Sequence, residues 1–144
     1  MSKDVRLPLE GMLVLDMSLF LAGPYTALRL QDLGARVIKI ERPDGGDPCR
    51  DLYKVDDTGD SILFHAINRG KESIALDLKN PADFAVMMRL VEKCDVLIQN
   101  YRPGVAERLG LGYRDVCKVN PRIVYASISG YGRDGPWSHL PGQD

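Results

Sequence analysis

The chain has 144 residues, 44% hydrophobic and 27% charged, with a formal net charge of -1. These proportions are ordinary for one soluble globular domain long enough to bury a core. The near-neutral balance gives no global field to hold nucleic acid or an anionic membrane, so any anion site must be a local cluster of basic residues.

From the N-terminus, residues 12–17 (MLVLDM) form a short, almost unbroken apolar run, the pattern of a strand covered on both faces. LAGPYTALRLQDLGA follows, with Pro24 suited to the first turn of a helix and Gly34 to its end. Residues 36–41 (RVIKIE) then predict a second strand, completing a βαβ unit with a parallel, right-handed crossover. Residues 42–60 predict a long polar loop of functional or mobile character.

Further along, ESIALDL (72–78) predicts a strand, and Asn80 caps a helix that has Pro81 at its first position. Phe84, Met87, Met88 and Val91 fall at i, i+3, i+4 and i+7, a stripe for core packing. DVLIQN (95–100) and RIVYASIS (122–129) predict two more strands. The fold class is α/β: a Rossmann-like, doubly wound, mostly parallel sheet with flanking helices.

Cys49, Cys94 and Cys117 are odd in number and lack C-x-x-C spacing, which favours reduced, buried thiols over a disulfide framework or a zinc site. The start, MSKDVRLPLEG, is too charged for a signal peptide, and no apolar run reaches membrane-spanning length. A cytoplasmic protein is the expectation.

Gly130, Gly132 and Gly135 satisfy G-x-G-x-x-G behind a strand. A dinucleotide fingerprint needs its last glycine to open a helix whose N-terminus faces the pyrophosphate. Here Pro136, Pro141 and Gly142 follow closely and forbid a regular helix, and the motif is at a late strand where a first βα turn is required. Glu41 occupies the place of a ribose-binding acid, but the first turn has only Gly23, so NAD binding is rejected. The glycines serve either a close backbone approach to a ligand at the carboxyl edge of the sheet or a plain tight turn.

Four segments in order, LAGPYTALRLQDLGARVIKIERPDGGDPCR, NRGKESIALDLKNP, DVLIQNYRPGVAERLGLGY and NPRIVYASISGYGRDGP, resemble the family III CoA-transferases. That group (CaiB/BaiF-type) also holds formyl-CoA and carnitine CoA-transferases and α-methylacyl-CoA racemases. Its members are considerably longer, and the loop on which the sequence stops predicts the N-terminal part of the CoA-binding large domain over 1–144. The second domain and C-terminal region are then absent. The resemblance implies an interlocked homodimer at full length, acyl-CoA and carboxylic acids as small-molecule partners, coenzyme A as substrate and no metal.

It also assigns residues. Arg42 and Lys79 fall on positions that contact the nucleotide end of CoA, Leu76 on one lining the adenine region, and Arg108 and Leu109 on further CoA-contacting positions. Asn100 and Arg102 are additional candidates, while Arg69 and Lys71 read as ordinary charges. Guanidinium and ammonium groups suit the 3′-phosphate and diphosphate of CoA, although basic loop residues are otherwise solvated surface.

The implied reaction moves CoA between carboxylic acids through an aspartyl mixed anhydride. Matching the segments puts the nucleophilic aspartate downstream of residue 144, with Gln143 and Asp144 near the site. Racemase relatives carry histidine at the position of Gln143, and a carboxamide is no general base near neutral pH; His139 is four residues earlier. Leu21 replaces a glutamine of oxalate-handling relatives, which argues against a formyl/oxalate pair. A racemase-like enzyme and a stand-alone, non-catalytic CoA-binding module are the alternatives.

Overall fold

The computed structural model describes residues 6–53 and 61–142. Five strands, β1 (Leu13–Asp16), β2 (Arg36–Glu41), β3 (Glu72–Ala75), β4 (Val96–Gln99) and β5 (Val124–Ser127), make one sheet. Their order is β3-β2-β1-β4-β5, and every pairing is parallel. Val14 pairs with Val37 on one side and with Val96 on the other, so β1 is the central strand, flanked by β2 and β4.

β2 spans the predicted 36–41, and the other four strands are shorter than the runs that predict them. β3 illustrates why: after Ala75 a single further bond, from the Leu76 amide to the Glu41 carbonyl at 2.8 Å, continues the ladder. The Asp77 side chain then accepts from the Lys79 amide at 3.0 Å and bends the chain into a turn.

Helix α1 (Ala22–Asp32) has Pro24 in its first turn, and Gly34 ends it at φ 105°, a conformation that favours glycine. The predicted helix after β3 is α3 (Pro81–Val91); the Asn80 side chain accepts from the Ala82 amide at 2.8 Å, and Met87 and Val91 are fully buried. Three short helices were not anticipated: α2 (Ile62–Asn68), α4 (Val105–Arg108) and α5 (Tyr113–Val119). The polar segment after β2 contains a 3-10 turn over Pro48–Asp51, capped by the Asp47 side chain.

The helices cover both faces. Ala27 of α1 packs with Val14, Val37, Val96 and Ile98, and α2 lies against α1. On the opposite face Met87 and Val91 of α3 and Val116 of α5 meet Leu15, Ile38, Ile40 and Leu97. Full burial of Leu15 and Leu97 contributes ~2 kcal/mol each, which makes the central strands a rigid floor for what lies at their ends. Cys49 and Cys94 are buried and Cys117 partly so; burial, with Asp95 nearby, pushes the Cys94 thiol up to about 11, well away from a reactive thiolate. No described helix is long and apolar enough to cross a membrane.

Candidate functional site

In the order β3-β2-β1-β4-β5 the chain leaves β1 toward one side of the sheet and β4 toward the other. The carboxyl ends of such a strand pair part and leave a crevice, the common ligand position of open α/β sheets. A cleft of about 640 Å³ lies there. Leu19, Phe20 and Ala22 line it after β1, Asn100 to Pro103 after β4, and Ile128 to Gly132 after β5. The loop through Ser138, Leu140 and Gly142 closes the far side.

That loop turns back on itself because glycine faces glycine: a Cβ on Gly130 would run into the Gly142 backbone. Arg133 pairs with Glu107 and ties the loop to α4, while Tyr131 and Trp137 meet edge to face. No helix follows Gly135, as the prolines require. The cleft is largely apolar, with polar groups at Asn100, Tyr101 and Arg102, and no carboxylate is among its described lining residues.

Tyr101 is held in place from below. Gln99 donates to Ser127 Oγ at 2.8 Å and accepts from the Tyr101 amide at 2.8 Å. Burial, then the charges of Asp16 and Asp47, push the Tyr101 phenol up to about 12. At neutral pH it is an uncharged donor beside an apolar hollow.

The turn after β1 is fastened by side chains from other elements. Asn100 accepts from the Leu19 amide and donates to the Leu19 carbonyl, both at 2.8 Å. Asp16 Oδ1 accepts from the Ser18 amide at 3.0 Å and from its hydroxyl. Lys39 Nζ donates to the Ser18 carbonyl at 2.8 Å and pairs with Asp47 Oδ2 at 2.9 Å. Lys71 Nζ reaches Asp16 Oδ2, the Pro24 carbonyl and Asn68 Oδ1, each at 2.8 Å. Glu41 accepts two bonds from Arg50, at 2.9 and 2.8 Å, and others from the Asp47 amide and Ser73 Oγ. Asp16 and Asp47 are fully buried, and each is paired with a lysine, as burial of a carboxylate requires.

The residues assigned from sequence separate into three groups. Asn100 and Arg102 line the cleft. Arg42 and Lys79 are exposed after the carboxyl ends of β2 and β3, Arg108 is exposed at the end of α4, and none of the three is among the cleft's lining residues. Arg42 donates Nε–H to the Gly46 carbonyl at 2.9 Å. Leu76 is buried in the core and Leu109 packs against it. Gln143 and Asp144 lie outside the described residues. His139 is exposed and is not a lining residue. Leu21 packs on the Cys49–Phe64–Ile67 cluster and is likewise not among the lining residues.

Sequence reasoning missed Phe20, Tyr101 and the buried charges. A signal existed for the last: Asp16 and Lys39 stand inside apolar strands buried on both faces, where a charge requires a partner.

Fold and cleft together define an α/β protein with an all-parallel sheet and an apolar hollow at its switch point. Known proteins narrow that class. The family model for CoA-transferase family III matches residues 9–144, and the chain belongs to that family. It is 49% identical over 138 residues to acetyl-CoA:oxalate CoA-transferase of Acetobacter aceti, covering 95% of this chain and 35% of that protein. With succinyl-CoA:glutarate CoA-transferase of Mus musculus it shares 45% identity over 141 residues, 98% of this chain and 32% of that one. A crystal structure of a CAIB/BAIF family protein from Brucella suis superposes with a TM-score of 0.90 at 38% identity, over 96% of this chain and 38% of that one. The chain thus spans about a third of the length of these relatives.

Proposed function

We propose that the complete protein transfers CoA between carboxylic acids, and that these residues supply much of its CoA-binding scaffold. The observation that carries the reading is the cleft at the switch point, apolar and free of described carboxylates, with Arg42 and Lys79 exposed after the carboxyl ends of β2 and β3. An acyl-CoA has a matching form: a phosphorylated nucleotide, a long neutral arm and a small acyl end. The rim cations suit the phosphates, and the cleft suits the arm and thioester.

In this reading an aspartate carboxylate oxygen attacks the thioester carbonyl carbon. The C–S bond breaks, its electron pair leaves on sulfur, and a mixed anhydride forms. The thiolate attacks the aspartyl carbonyl, releasing the donor acid and leaving an aspartyl thioester. The acceptor carboxylate attacks that carbonyl and expels the thiolate, which then takes the acceptor acyl group and frees the aspartate. The nucleophile is assigned outside residues 1–144, where matching the family's segments puts it, and among the described residues no carboxylate lines the cleft. Backbone amides of the glycine-rich wall, Gly130 among them, are the proposed donors to developing oxyanion charge, while the Gly132 amide is already committed to Ser129 Oγ at 3.1 Å. The second domain and the interlaced homodimer belong to the same proposal. The relatives' names concern oxalate in one case and glutarate in another, and the acids used by this protein are left open.

Calorimetric titration with CoA tests the assignment. These residues form only part of the site, so binding is weak, and the double variant Arg42→Ala/Lys79→Ala lowers affinity about 10- to 100-fold, as loss of a charge-assisted phosphate contact implies. Dephospho-CoA should respond less to the double variant. An unchanged Kd removes both residues from the site.

A further inference from the structure

The turn after β1 contains a backbone anomaly. Phe20 has φ 62°, the left-handed region that a bulky side chain rarely adopts, and the residue is 43% exposed and lines the cleft. Such a conformation persists only where surrounding groups dictate it. Asn100 fixes Leu19, and Asp16 and Lys39 fix Ser18. The Phe20 amide goes to one acceptor, Asp47 Oδ1 at 3.2 Å.

Asp47 is fully buried and belongs to a different segment, the loop after β2 that begins with Arg42. It is held rigidly. Oδ1 also accepts from the Cys49 amide at 2.9 Å, Oδ2 faces Lys39 Nζ at 2.9 Å, and its own amide donates to Glu41 at 3.0 Å. Rotating the carboxylate away from Phe20 would break the Cys49 bond and disturb the pairing with Lys39.

We propose that Asp47 is a positioning residue: by accepting the Phe20 amide it holds that residue left-handed and thereby sets the wall of the cleft. It touches no cleft surface itself and is not a lining residue. Because the same loop contains Arg42, whose Nε bonds the carbonyl of the adjacent Gly46, a movement at Arg42 reaches the cleft through Asp47.

The test uses the isotopically labelled full chain and NMR. A left-handed residue gives a strong intraresidue amide-to-Hα cross-peak, expected for Phe20 in the unmodified protein; its absence there overturns the proposal directly. Asp47→Ala should lose that signature and shift the amides of Leu19 and Ala22, while the β1 and β4 amides stay in place. Asp47→Asn keeps an acceptor oxygen and should retain the signature, a rescue that a merely stabilising charge would not give. Asp47→Ala strands Lys39, so Lys39→Met/Asp47→Ala provides a variant with no orphaned charge. A Phe20 signature that survives in either alanine variant, or that vanishes equally in Asp47→Asn, overturns the assignment.

Discussion

Replacing Lys71 with methionine should cost about 3–5 kcal/mol of folding stability, roughly a fifth or more of the total of a typical domain. The lysine side chain is 1% exposed and its partner Asp16 is fully buried, with a separation of 2.8 Å. Methionine fills the apolar stem but leaves the buried Asp16 carboxylate without its ion-pair partner, and it abandons the Pro24 carbonyl and Asn68. Burial lowers the pKa of Lys71, and the attraction of Asp16 offsets part of that, so the pair is held at a desolvation cost. Adding Asp16→Asn to the variant should therefore recover most of the loss, since removing both charges is far cheaper than removing one. Urea unfolding measures both. A single-variant loss below about 1 kcal/mol would mean that water reaches Asp16.

The second large effect is acid sensitivity at Glu41. Burial pushes its pKa up, but the two Arg50 bonds, the Asp47 amide and Ser73 Oγ together outweigh this and bring it from 4.5 down to about 2. In the unfolded chain the same carboxyl protonates near its ordinary value. The stabilisation is therefore complete above about 4.5 and is lost as pH falls from there toward 2. The shift corresponds to about 3 kcal/mol. Glu41→Gln should forfeit roughly that amount at neutral pH, and the difference between variant and parent should shrink steadily below pH ~4.5. A difference that does not change with pH would show that the charge of Glu41 contributes nothing. The loop that presents Arg42 is anchored by this same carboxylate through Arg50 and the Asp47 amide, so its failure in acid also disorganises the rim.

The strands were legible because each is a short apolar run bounded by breakers, and parallel sheets bury both faces. α1 and α3 were legible through Pro24 and Gly34, and through Asn80-Pro81 with its apolar stripe. The helices α2, α4 and α5 were not. Each has two turns or fewer, too short for a 3.6-residue period to register, and α4 is a single turn between Gly104 and Gly110. Position along the sheet edge was readable for Asn100 and Arg102, which follow the apolar core of β4 directly. What Asn100 does was not: its amide clamps Leu19, a residue 81 positions away, and no local pattern encodes that pairing. Phe20 is hidden for the same reason. Its left-handed backbone is imposed by Asp47, 27 residues on, against its own preference. Lys71 looked like an ordinary surface charge because a lone lysine after a glycine gives no indication that an aspartate at the end of β1 will bury it.

One measurement bears most directly on the reading that the carboxyl edge of the sheet receives an acyl-CoA. Titrate the labelled chain with CoA to millimolar concentration and follow backbone amides. The expected shifts concentrate at Leu19 to Ala22, Asn100 to Arg102 and Ile128 to Gly132, with a second group at Arg42 and Lys79, and leave the amino ends of the strands unmoved. Shifts confined to another face of the molecule, or none at this edge, would contradict it.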